Sequence, residues 1–175
     1  MDSTRGIDFG RLTLKDALDL AILVEEEAKE RYEEFVEQME THRTPDAARF
    51  FRFMAANEEK HRGELAARRT QLFKGAPSVV TRAMLFDIEA PEYDEARVFM
   101  SVRAALEAAL RSERKAHAFF VQVLPRVTDP DVRALFKELC EEELAHGAMV
   151  ERELAKLPPD SGFKAEDFAD DPVAQ

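Results

Sequence analysis

Four long stretches of the chain repeat apolar side chains at steps of three and four, the spacing that lines one face of an α-helix. In the first, Leu18, Ala21, Glu25, Ala28, Tyr32 and Phe35 share a stripe; in the second, Phe51, Met54, Glu58, His61 and Leu65 do. The third carries Val102, Leu106, Ala109, Glu113, Ala116 and Phe120, and the fourth Phe136, Leu139, Glu143, His146 and Val150. Start and stop signals bound each stretch. Thr13 offers an N-cap to a helix running towards Glu40, and Thr44 with Pro45 opens a second that runs to about Lys74, before Gly75 and Pro77. The third helix is expected from about Asp94 to Leu124, ahead of Pro125, and the fourth from Asp129 and Pro130 to Leu157, ahead of Pro158 and Pro159. A tight turn joins the first pair, whereas "GAPSVVTRAMLFDIEAPEYD" leads from the second helix to the third and is long enough for a crossover along a bundle. No alternating β-branched runs suggest strands. The pattern predicts an all-α four-helix bundle over residues 13–158, with residues 1–12 as an N-terminal extension and residues 159–175 as an acidic, mobile tail.

The chain also repeats itself. Residues 44–61, "TPDAARFFRFMAANEEKH", align without a gap on 129–146, "DPDVRALFKELCEEELAH", at an offset of 85. Pro45, Asp46, Phe51, Glu58 and His61 thereby meet Pro130, Asp131, Phe136, Glu143 and His146. The first and third helices correspond as well, with Glu25, Ala28 and Tyr32 opposite Glu113, Ala116 and Phe120. Two related helical hairpins joined by the long crossover are the simplest reading.

Composition narrows the chemistry. The 25 basic against 36 acidic residues, for a formal net charge of −11, argue against nucleic acid or an anionic membrane surface as partner and favour cations. Cys140 is the single cysteine, so no disulfide framework, thiolate zinc site or CxxC redox pair is possible within this sequence. The opening residues lack an apolar segment and the longest unbroken apolar run, "LAILV", is far too short to span a membrane, so a cytoplasmic location is expected.

The stripes single out four carboxylates from a chain full of them. Each helix points one glutamate inward, while Glu26, Glu27, Glu59, Glu141 and Glu142 fall off the stripes and read as solvated face. Four ionised glutamates buried together would cost several kcal/mol each, and no lysine or arginine shares their stripes. Two divalent cations would neutralise them and leave both imidazoles neutral, as ligands must be. The expected site is therefore dinuclear, with Glu25, Glu58, His61, Glu113, Glu143 and His146 as metal ligands. Mixed oxygen and imidazole ligation suits two Fe ions, with Mn or Zn as alternatives. A buried polar network is the competing reading.

One glutamate from each of two helices and Glu-x-x-His from the other two is the ligand pattern of di-iron carboxylate bundles. At "EEEAKERYEEF", "NEEKHRGEL" and "EEELAH" the sequence resembles the ferritin-like superfamily, and within it rubrerythrin, over roughly residues 14–157. The resemblance implies a ferritin-like bundle that oxidises Fe(II) or reduces dioxygen or hydrogen peroxide, an oxidoreductase of ferroxidase or peroxidase type. A non-catalytic metal-binding or oligomeric scaffold is the alternative. Tyr32 resembles the tyrosine near rubrerythrin's metals and becomes a catalytic candidate, with a plain core aromatic as its other reading. Two departures stand out. Peroxide-reducing rubrerythrins carry a further glutamate three residues after the third-helix ligand, where this chain has Ala116, and a rubredoxin-like module that one cysteine cannot build. An external electron donor is expected in its place, and a homodimer or larger homo-oligomer as the assembled form. The six ligands also resemble those of bacterioferritin, but Glu59 stands where its haem-binding methionine would be. His117, four residues after Glu113, and Cys140, three before Glu143, are peripheral candidates.

Overall fold

The computed structural model describes residues 7–84 and 101–158. Four helices account for most of them: α1 (Leu14–Thr41), α2 (Pro45–Phe73), α3 (Val102–Val123) and α4 (Pro130–Leu154). Short 3-10 turns at Arg82–Met84 and Leu124–Arg126 complete the described elements. The helices pair as two hairpins, α1 on α2 and α3 on α4, with α1 also meeting α4. This is the expected all-α four-helix bundle.

Local chemistry explains the helix ends. Thr13 caps α1 by accepting a hydrogen bond from the Asp16 amide, and Asp129 caps α4 by accepting from the amides of Asp131 and Val132. Thr44 does not cap α2 as expected: its hydroxyl donates back to the Met39 carbonyl at 2.9 Å and fastens the turn instead. Pro45 at the first turn, whose missing N–H is one the helix leaves unpaired anyway, suffices to start α2. Ser101, in extended backbone, caps α3 through the Ala104 amide, so α3 begins at Val102 rather than near Asp94. Residues 94–100 of that expectation, most of the crossover and the tail from 159 lie outside the described residues. At the far end, α4 stops at Leu154 and passes into a turn, short of Leu157, where the Leu157 amide donates to the Leu154 carbonyl at 3.1 Å.

Two apolar clusters fill the interior. One gathers Leu18–Val24 positions of α1, Leu65, Phe119, Phe120, Leu135 and Phe136; the other gathers Tyr32, Phe35, Phe51, Met54, Leu106 and Val150. In every helix the inward glutamate falls between a segment of one cluster and a segment of the other, so the carboxylates form a polar belt across an otherwise apolar core. Burial of each large side chain contributes roughly 1.5–3 kcal/mol, which is what pins the belt. Phe9, in the extension before α1, belongs to this core: it is 1% exposed and meets Phe119 and Phe136 edge to face. Arg69 of α2 donates to Asp19 of α1 at 2.8 Å and to the carbonyls of Lys74 and Ala76, tying the start of the crossover to the first hairpin.

Candidate metal centre

Each helix delivers one glutamate to the belt. Glu25 and Glu58 are 2% exposed, Glu113 is 3%, Glu143 is 4%, and His146 is 3% exposed, whereas His61 is half-buried. Nδ1 of His146 lies 3.1 Å from Glu58 Oε1 and 3.6 Å from Glu113 Oε2, and Nδ1 of His61 lies 4.0 Å from Glu25 Oε2. The two imidazoles stack with centroids 5.3 Å apart and planes 5° from parallel. Ligand atoms bound to one metal at about 2.0–2.2 Å sit roughly 3–4 Å from each other, so these separations fit a shared ion.

Three overlapping sets of side chains bring ligand atoms within 4.8 Å of one another: Glu113, Glu143 and His146; Glu25, His61 and Glu142; and Glu58 with both histidines. The structure thus brings all six predicted side chains into one belt. It adds Glu142, which the helical stripe assigned to solvent but which is half-buried beside Glu25 and His61. Asn57 is the residue aligned with Glu142 in the internal repeat, so the repeat gave no signal for this position. Of the other off-stripe glutamates, Glu141 is exposed as expected, whereas Glu27 is half-buried and raised by that burial. Glu59 pairs with Lys29 and Arg62, whose hydrogen bonds hold its carboxyl down at about 2, and Glu26 pairs with Arg82 at 3.1 Å.

The electrostatics of the belt are unbalanced. Among the described residues the one buried side chain with a permanent positive charge is Arg69, and it is committed to Asp19. Burial pushes Glu25 up to about 7, and Glu142 is raised for the same reason. Burial also lowers His61, aided by the neighbouring His146. For His146 burial acts downward too, but the Glu113 carboxylate 3.6 Å away, with Glu25 and Glu142, outweighs it and the net shift is upward. Glu25 Oε2, Glu113 Oε2 and His61 Nδ1 are buried without a hydrogen-bond partner among the described residues. Buried polar atoms in that state cost about 1–3 kcal/mol each, and a cation in each of the two sets that hold them would satisfy them. The donor set therefore fits a pair of divalent metal ions.

Tyr32, 2% exposed and stacked on Phe51, donates its hydroxyl to Glu113 Oε1. Burial and the surrounding carboxylates raise it well above the ordinary phenol range, so it stays a donor. His117 lines a cavity of about 190 Å³ between α3 and α4 that also reaches Glu113 and Glu143. Cys140 is a partly buried free thiol packed against the first apolar cluster, and burial raises it. No described helix is long and apolar enough to cross a membrane.

Comparison with known proteins bears on the fold and the family. The crystal structure of an uncharacterized conserved protein from Magnetospirillum magnetotacticum MS-1 superposes with a TM-score of 0.69 at 29% identity, covering 86% of this chain and 99% of that one. No curated protein matches the chain. The rubrerythrin family model matches residues 16–154, which takes in all four helices and every side chain of the belt. A match over that share of the sequence places the chain in the rubrerythrin family.

Proposed function

We propose that the chain is a non-haem di-iron carboxylate protein that oxidises Fe(II) with hydrogen peroxide or dioxygen, held by Glu25, Glu58, His61, Glu113, Glu143 and His146. The burial of four carboxylates, two of which, Glu25 and Glu113, hold an oxygen without a hydrogen-bond partner among the described residues, in a core whose one permanent cation there is engaged elsewhere, carries this reading. Two Fe(II) ions held by these residues would supply one electron each, enough, with two protons, to reduce one hydrogen peroxide to two waters. The protein's part is charge and position. Glu58, grouped with both imidazoles, is the carboxylate shared by the two halves. Each histidine turns Nδ1 to carboxylates of the belt, Glu58 and Glu113 for His146 and Glu25 for His61, so that nitrogen is the one placed among the other ligand atoms. Tyr32 donates its hydroxyl to one oxygen of Glu113 and leaves the other turned to His146. The two apolar clusters close the belt off above and below along the bundle, leaving the His61 side as its more open face. Sustained turnover draws on an external electron donor. Anaerobic loading with Fe(II), followed separately by dioxygen and by hydrogen peroxide, tests the proposal. Stoichiometric oxidation by at least one of them, well faster than Fe(II) in buffer, is expected; rates equal to buffer with both oxidants reject it.

A further inference from the structure

We infer that Glu142 is a seventh protein ligand, holding one divalent cation together with Glu25 and His61 in the solvent-facing half of the centre. The inference rests on the dinuclear reading above and assigns a residue that neither the helical stripes nor the six-ligand pattern includes. Ligand atoms of Glu25, His61 and Glu142 lie within 4.8 Å of one another and come from three different helices, α1, α2 and α4. Two of those atoms are orphans: Glu25 Oε2 and His61 Nδ1, 4.0 Å apart, are buried and lack a hydrogen-bond partner among the described residues. Glu25 is 2% exposed, so the acceptor that points at this set is almost wholly withdrawn from water.

Helix geometry explains how α4 serves both halves. Successive residues project about 100° apart, so Glu143 turns into the set with Glu113 and His146 while Glu142 turns towards α2. A cavity of about 140 Å³ opens beside it, lined by His61, Glu64, Arg68, Glu138 and Glu142. The Arg68 guanidinium, which could otherwise neutralise Glu142, is drawn 3.0 Å from Glu138 instead. The internal repeat gives the other half nothing comparable, because Asn57 stands where Glu142 does and a neutral amide adds no charge. With Glu142 the solvent-facing half has two carboxylates and one neutral imidazole, the same donor set that Glu113, Glu143 and His146 form on the other side. Each set would offer two carboxylates and one imidazole to a divalent ion, and Glu58, grouped with both imidazoles, is a fifth carboxylate against four positive charges.

Titration of the metal-free full chain with Mn(II), followed by calorimetry and by the electron paramagnetic resonance signal of unbound Mn(II), tests the assignment. Wild type is expected to take two ions. Glu142→Gln, which keeps shape and removes charge, should retain one ion at wild-type affinity and weaken the other at least about tenfold. Glu142→Ala should do the same, and the exposed neighbour Glu141→Gln should change neither. Combining Glu142→Gln with His61→Ala should still leave one ion, whereas combining it with His146→Ala should leave none. Two ions at unchanged affinity in both Glu142 variants, or loss of both ions together, would overturn the role of Glu142 while leaving the dinuclear centre standing. A wild type that takes fewer than two ions overturns the centre itself, and this assignment with it.

Discussion

His61 and His146 occupy matching positions in the two hairpins, yet their surroundings differ. The His146 side chain is 4% exposed and lies within 3.6 Å of two glutamates, while the His61 side chain is 17% exposed, faces Glu25 at 4.0 Å and borders an open cavity. One imidazole is raised by its acidic neighbours and the other lowered by burial and by its partner histidine. The residues that follow them diverge as well: Gly147 is buried, and a Cβ there would stand in ordinary van der Waals contact with Glu113 and Leu110, whereas Arg62 is turned to Glu59. A duplicated motif therefore sets which ligands face inward, and the residues flanking it set how open each half is. The expected consequence is one closed, tightly held ion and one exchangeable ion.

The largest effect should come from the residue both halves share. Glu58→Ala should abolish binding of both ions and all fast Fe(II) oxidation, while Glu59→Ala, already engaged by Lys29 and Arg62, should leave both intact. Equal damage from the two, measured by metal content and stopped-flow oxidation, would mean that the helix register is wrong. Next in size, His146→Ala should weaken the closed ion roughly a hundredfold and His61→Ala the open one roughly tenfold; equal losses by calorimetry would erase the contrast between the halves.

A third effect appears without metal. Glu25, raised from 4.5 to about 7 by burial, keeps its proton in the folded state where the unfolded chain has lost it. The unfolded state then binds fewer protons between pH 4.5 and 7, so stability should fall as pH rises through that window, by up to about 3 kcal/mol. His146, raised above 6.5, acts in the same direction at the upper end. Saturating Mn(II) should reverse the trend, because its ligands must be deprotonated; a metal-free melting temperature that climbs from pH 4.5 to 7 would contradict this. The smallest effect is that of Tyr32→Phe, which removes a hydrogen bond to a buried carboxylate. It should cost about 2 kcal/mol, or roughly 4–8 °C in melting temperature, and leave metal stoichiometry at two.

The bundle and its belt were legible because both rest on helical period. Glu25, Glu58, Glu113 and Glu143 interrupt apolar stripes at regular steps, and a polar residue on such a stripe has to be buried. Glu142 escaped because a single-helix stripe describes a narrow face, whereas packing between two hairpins also half-buries positions at its margin. Phe9 escaped for a different reason: it sits outside any periodic segment, and only tertiary contact with Phe119 and Phe136 gives it a place. The late start of α3 follows from Ser101, a good cap whose signal is weak beside an extended run of helix-forming residues.

Anaerobic calorimetric titration of the metal-free chain with Fe(II) addresses the centre most directly. Two ions per chain should bind in two resolved steps, the tighter belonging to the His146 half, and at a free concentration about a hundred times the dissociation constant each should add roughly 2.7 kcal/mol to stability. Saturation at one ion, or no binding at all, would contradict a dinuclear centre built from these glutamates and histidines.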